Sequence, residues 1–334
     1  MLRDLRRNTL EWIISLLRRL SNRLSERQMI AVLAVVVGLL AGFGTCIFEM
    51  LLHWLQTALV SWFPSDEAQA LLLVYPAIGI ILATLFVKYI VRDEISEGVT
   101  RVLYAMARKD SRIAGHNCWS SIVGGATTIG FGGSVGPEAP IVLTGAAIGS
   151  NVGKLARLNY KELTLLLCCG AGAAVAAIFK APITGVVFVL EILMLDITSA
   201  SVFPLILASV TATTTALIYR GFDPIFAITL SEADVFVIKQ IPLYILLGVC
   251  CGLMSYYFTS VNSGVGKFVK RIDSQYKRWI FAGVVLGLLI FIFPPLYGEG
   301  YRSLTAFMHG DVQALFSNSM FFKFRTLEWV AIIY

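Results

Sequence analysis

Charge is scarce in this chain. Of its 334 residues, 14% are charged and 57% hydrophobic, whereas a soluble domain carries about 25% charged residues. A mean hydropathy of +0.78 points the same way. Histidine is rarer still: His53, His116 and His309 are scattered along the sequence, so a metal site has no support. CxxC spacing is absent, and the six cysteines (Cys46, Cys118, Cys168, Cys169, Cys250, Cys251) sit in apolar segments. They read as small packing residues, because free cysteine behaves as a small hydrophobe. No P-loop, nucleophile elbow or zinc motif occurs, so nothing points to an enzyme, a catalytic residue or a cofactor. The apolar/polar alternation of an outer-membrane barrel is missing as well.

What is present is a set of long runs free of charge. A helix crosses the hydrocarbon core with about 20 apolar residues. Residues 29–48, 68–87, 197–219, 240–266 and 279–298 each meet that requirement. A buried helix of a soluble protein explains any one of them, but not five together. The first run follows a 28-residue leader with seven Arg and three acids, which is too long and too basic for a cleaved signal. It suits a basic amphipathic helix on the inner membrane surface.

Lys and Arg orient the spans, since short cytoplasmic loops are enriched in them. The leader is basic and is expected inside. Asp66 and Glu67 follow the first run without a basic residue, so that connection is expected outside. Lys88, Arg92, Arg101, Arg108, Lys109 and Arg112 mark the next connection as inside. The stretch 267–278, with five basic residues and one acid, is inside again, and 220–239 is outside. The net charge of +6 is then mostly topology, and no aromatic and basic patch argues for nucleic acid. The expected location is the cell (inner) membrane, multi-pass, with a cytoplasmic N-terminus.

Residues 113–195 read differently. Gly and Pro interrupt the uncharged runs, and such short broken segments are the best sequence pointer to a transport site, since irregular backbone at membrane depth survives only against protein or a cavity. Close packing through small residues such as Gly145 and Gly149 accounts for the glycine content. It does not account for Glu138, the one fixed charge between Arg112 and Lys154. Gly136-Pro137-Glu138 has the form of a helix start, because proline is favoured at the first helical position. A helix that begins inside the membrane aims free N–H groups and the positive end of its dipole at whatever precedes it, which makes an anion site. Glu138 can fill that site itself, and its protonation would clear the path. An intramembrane acid is a functional candidate by default; a capping acid without a transport role is the alternative.

"VGPEAPIVLTGAAIG" resembles the signature of the CLC chloride channels and proton/chloride antiporters, G-[KR]-E-G-P, at Gly136, Glu138 and Pro140, with Pro137 in place of the basic residue and Ala139 in place of the second glycine. "FKAPITGVVFVLEILMLD" resembles the family's N-A-P-L-A-G-x-x-F-x-x-E stretch. "EGVTRVLYAM" stands where the family has G-S-G-x-P-E, and "YGEGY" where a Gly-rich turn follows a later span. The resemblance runs from about the first span to about residue 305. It implies an all-α, polytopic membrane protein with a CLC-like fold, broken and re-entrant helices, and a homodimer with one pore per protomer. It implies that Glu138 is the gate. It also implies that backbone N–H groups around Gly98, Val99, Gly136, Pro137, Ala139 and Pro140 help to hold chloride, the transported ligand, in place of its hydration shell.

Three departures qualify it. The serine that coordinates the central anion falls at Glu97, or at Ser96 after a one-residue slip. A carboxylate there would repel chloride, so either it is turned away or protonated or the ion preference is altered; a solvated cytoplasmic acid among Arg92, Arg101 and Arg108 is the other reading. The inner proton acceptor that follows the acid matching Glu191 is Ile192, which leans toward passive conduction, with Glu191 or water as a substitute proton path. The G-x-F-x-P loop and late tyrosine of the second half do not occur, so the second inverted repeat is read as incomplete and the chain as a truncated or frame-shifted product. The expected layout is a cytoplasmic basic helix at 1–28, a first half with the anion motifs at 29–219, an extracellular linker at 220–240 and a partial second half at 241–334. The expected function is a voltage-gated chloride channel or transporter in the lipid bilayer. A proton-coupled chloride or fluoride antiporter and a non-conducting fragment are the alternatives.

Overall fold

The computed structural model describes residues 25–61, 73–93, 98–222 and 238–308, and these contain helix and no strand. The leader up to residue 24, Asp66 and Glu67, Ser96 and Glu97, most of the linker 220–240, and the chain after 308 lie outside the described residues. The helices are α1 (Glu26–Ser61), α2 (Tyr75–Leu85, prolonged by a wider turn at Phe86–Val91), α3 (Gly98–Arg108), α4 (Asn117–Gly130), α5 (Glu138–Leu155), α6 (Tyr160–Phe179), α7 (Pro182–Ile192), α8 (Ser199–Arg220), α9 (Ile241–Lys270), α10 (Gln275–Ile292) and α11 (Tyr301–Met308).

All five charge-free runs correspond to helices: α1, α2, α8, α9 and α10. Two of them fall short of their runs by several residues. Among the described residues the second starts at Tyr75, with Pro76 in its first turn, where a missing N–H costs nothing. The fifth stops at Ile292, because Pro294 and Pro295 follow. Another long apolar helix, α6, lies in the stretch that reads as broken, and its central part is 83% buried. Gly, Ala and Cys fill it, and those small residues let it sit at the centre. Helix α3, just before that stretch, and α4 and α7, within it, have 11, 14 and 11 residues. At 1.5 Å per residue they span roughly 16–21 Å, too little to cross a bilayer.

Backbone approaches give the directions. A Cβ on Gly145 would lie 2.2 Å from the Gly170 carbonyl, and one on Gly149 2.2 Å from that of Leu166, so α5 and α6 are antiparallel and touch backbone to backbone. Gly172 and Gly185 make the same reciprocal contact between α6 and α7. Gly38 meets Ala208 and Gly42 meets Ala212, so α1 and α8 run in parallel. Thr45 Oγ1 donates to the Ala174 carbonyl at 3.5 Å and Thr213 Oγ1 to that of Ala176 at 3.1 Å, tying both to α6. These are the small-residue contacts that drive helix association where lipid tails are as apolar as leucine. Cys168 and Cys169 are buried in this core, and Cys46 and Cys118 pack against it. Cys250 and Cys251 instead lie exposed on α9, outside the packing role that the sequence suggests.

The basic segments meet at one end. Lys88 Nζ donates to Tyr276 Oη at 3.1 Å, which brings the end of α2 to the start of α10. At the other end, Tyr75 Oη donates to the Leu59 carbonyl at 3.2 Å.

Candidate functional site

The site is built on the start of α5. Helices α6 and α8 open with capping boxes, Asn159 with Glu162 and Thr198 with Ser201, so side chains satisfy their first N–H groups. At α5, Pro137 occupies the capping position, φ −76°, one residue earlier than the sequence suggests, and no side chain caps the helix. Its first turn therefore keeps its N–H groups and the positive end of its dipole. Of the candidate residues here, Gly136, Glu138 and Ala139 carry an amide hydrogen, and Pro137 and Pro140 do not.

This start lies within the height of the bundle. Pairing of Gly145 with Gly170 and of Gly149 with Leu166 puts Glu138 level with Ala177, two residues before the end of α6. Thr213 of α8 is level with Ala176, so α8 runs on for seven more residues to Arg220, about 10 Å at 1.5 Å per residue.

Helix α3 converges on the same point. Gly98 is buried, and a Cβ there would lie 2.0 Å from the Ala139 carbonyl oxygen. Only glycine lets the first residue of α3 rest on the first turn of α5. Gly98, Val99, Gly136, Glu138 and Ala139 are thus brought together, with Pro137 buried beneath them. Ser96 and Glu97, which lead into α3, are outside the described residues. Next to that segment, Asp93 forms an ion pair with Arg101 of α3 and lies 3.0 Å from His116 Nε2.

The carboxyl of Glu138 is half-buried and folded back. Its Oε2 lies over Gly136, where a Cβ would come within 1.9 Å of it. Its Oε1 accepts a hydrogen bond of 2.5 Å from Tyr301 Oη, 163 residues away. The turn "YGEGY" delivers that tyrosine. Gly298 and Gly300 have φ of 77° and 78°, a region that favours glycine. The rings of Tyr301 and Phe179 pack edge to face, with centroids 6.4 Å apart. At the other end of the turn, Tyr297 Oη donates to the Gly130 carbonyl at 3.0 Å, and its ring covers Gly132. Sequence reasoning places the turn and gives no role to either tyrosine.

Tyr301 also borders a cavity of about 840 Å³ lined by Glu49, His53, Lys180, Arg220 and Glu299. Arg220 pairs with Glu49, and Lys180 Nζ donates to the Gly221 carbonyl at 2.9 Å. Glu49 and Arg220 sit at the margins of charge-free runs, and those margins are the signal that marks them. Glu191 and Ile192 are not part of this gathering. They are exposed at the far end of α7, toward a second cavity that Leu195 and Asp196 line together with Arg27 and Lys161.

A family model described as "Voltage gated chloride channel" matches residues 78–334. A putative chloride channel protein, ClcB-like, of Ralstonia nicotianae is 26% identical over 83% of this chain and 67% of its own length. The H(+)/Cl(−) exchange transporter ClcA of Vibrio vulnificus is 28% identical over 84% of this chain. The chain spans 62% of that transporter's length. Among solved structures, a CLC-type fluoride/proton antiporter superposes with a TM-score of 0.71 at 26% identity, covering 84% of this chain and 69% of its own. A slow cyanobacterial Cl−/H+ antiporter shares the fold with a TM-score of 0.71 at 22% identity, covering 88% and 72%. The chain belongs to the voltage-gated chloride channel (CLC) family and is a multi-pass membrane protein.

Proposed function

We propose that this protein moves chloride across the membrane, past the facing starts of α3 and α5, with Glu138 as the gate. The observation that carries the reading is the uncapped start of α5 inside the bundle, with one carboxylate in its first turn and Gly98 of α3 resting against it. N–H groups of Gly98, Val99, Gly136 and Ala139 replace part of the anion's hydration, while Pro137 and Pro140 shape the turn. Ser96 and Glu97 belong to the approach to α3. The ionised Glu138 competes with the anion for the same positive end, and its protonation admits chloride. Movement of either charge through the field contributes about 2.3 kcal/mol per charge per 100 mV, which makes opening voltage-dependent.

The protomer pairs with a second copy in the cell membrane, with a cytoplasmic N-terminus. The end where Lys88 meets Tyr276 faces inward with the basic segments. The leader 1–28, the half 29–219, the outer linker 220–240 and the part 241–334 form the layout of the chain. The protein is a transporter and not an enzyme.

Chloride efflux from liposomes that hold the full 334-residue chain tests the gate across a pH series. Efflux is expected to rise as pH falls in the wild type and to be high and flat in Glu138→Gln. An unchanged profile in the variant removes Glu138 from the gate, and no efflux at any pH favours a non-conducting chain. Proton-coupled exchange of chloride or fluoride is the second reading, supported by relatives whose names describe exchange with protons. Glu191 would then have to stand in for the acid absent at Ile192. Proton flux driven by a chloride or fluoride gradient separates the two readings.

A further inference from the structure

The loop before α5 is held at both ends by one pentapeptide. Tyr297 covers Gly132 and bonds the Gly130 carbonyl, and Tyr301 bonds the carboxyl of Glu138. The positive φ of Gly298 and Gly300 lets two tyrosines four residues apart reach the same loop. The bonds differ in kind. The hydroxyl of Tyr297 meets a backbone carbonyl, whose charge is the same at every pH. The hydroxyl of Tyr301 meets a group that titrates. A phenol that donates to a carboxylate makes a charge-assisted hydrogen bond, stronger than the one it makes to a neutral acid. Such a bond holds the ionised side chain and loosens when that side chain takes up a proton. The ring of Tyr301 is itself fixed by the edge contact with Phe179, so the donor keeps its place while the acceptor changes.

We propose that Tyr301 is a positioning residue for the gate: its hydroxyl latches the ionised Glu138 against Gly136, and protonation of Glu138 releases the latch. This rests on the reading of Glu138 as the gate. The latch comes from the segment after α10, so a residue beyond the first half sets how readily the first half's gate moves. Other charged groups face the same place. Glu49, His53, Lys180, Arg220 and Glu299 line the cavity beside Tyr301. Glu49 is paired with Arg220, and Lys180 is turned to the carbonyls of Arg220 and Gly221. On α3, Arg101 is held by Asp93. On α5, Lys154 is at the opposite end and bonds the Ile113 carbonyl.

The test compares wild type, Tyr301→Phe, Tyr297→Phe and Glu138→Gln in the full chain. Phenylalanine keeps the ring on Phe179 and removes only the hydroxyl. Two readouts are taken: chloride efflux from liposomes against pH, and the infrared carboxyl band that Glu138→Gln deletes, titrated on purified protein. In Tyr301→Phe both midpoints are expected to move to higher pH by about one unit, a tenfold change in proton affinity, since a hydrogen bond to a charged group is lost. In Tyr297→Phe both are expected to stay in place. Unmoved midpoints in Tyr301→Phe, with pH dependence lost in Glu138→Gln, overturn the latch and leave the gate. An equal shift in Tyr297→Phe assigns the effect to the turn and also overturns the latch. A Glu138→Gln profile like the wild type overturns gate and latch together. If no variant moves chloride, the gate fails, and an infrared midpoint unmoved in Tyr301→Phe then overturns the bond's effect on Glu138 as well.

Discussion

Helices α6 and α9 are both long and apolar enough to cross a membrane, yet their surroundings are opposite. The central window of α6 is 83% buried and that of α9 is 0% buried. Hydropathy does not separate them; side-chain size does. From Cys168 to Ala177, α6 carries nothing larger than valine, and its glycines meet the backbones of α5 and α7. Over its length α9 carries Leu243, Tyr244, Leu253, Tyr256, Tyr257 and Phe258, all exposed. Apolar character marks a span, and smallness marks where a span is packed, because without a hydrophobic force between helices the gain comes from close approach.

The same substitution in each helix breaks or sharpens this contrast. Gly170→Ala carries the largest expected effect, since its Cβ would lie 2.1 Å from the Gly145 carbonyl oxygen. It is expected to cost roughly 3 kcal/mol through displaced backbone, seen as a lower melting temperature of the detergent-purified chain by size-exclusion chromatography. Gly252→Ala on α9 meets open space and is expected to stabilise by about 0.5–1 kcal/mol, the difference in helix propensity. Equal losses at the two sites would sink the contrast. The smallest effect belongs to the threonines. Thr213→Val deletes a bond from α8 to the Ala176 carbonyl and is expected to cost about 0.6 kcal/mol. Thr259→Val on α9 deletes only a bond within its own helix, to Ser255, and is expected to leave the melt where it is.

This contrast also explains what could be read in advance. Runs free of charge announced α1, α2, α8, α9 and α10. The ends of the second and fifth were set by Pro76 and by Pro294 and Pro295, and a count of apolar residues passes over prolines. Helix α6 was hidden because glycine and alanine, the signs of its central place, also signal interruption. The start of α5 was legible from Gly136-Pro137-Glu138, since proline and one isolated acid act locally. The meeting of Gly98 with Ala139 was legible only through a resemblance. The hydroxyl of Tyr301 on Glu138 was not legible, because a contact across 163 residues leaves no period or spacing in the sequence. The pair of Glu49 and Arg220 had a visible signal, single charges bordering apolar runs, but nothing local says which charge meets which.

The bond between Tyr301 and Glu138 also has a consequence in time. The carboxylate leaves the ribosome 163 residues before its phenol, and at about 5–20 residues per second that interval is roughly 8–33 s. Throughout that interval a nascent chain holds a finished α5 start whose acid has no tyrosine to receive it. The pairing of Glu138 with Tyr301 therefore trails the synthesis of α5 by that interval, however early the helix enters the membrane.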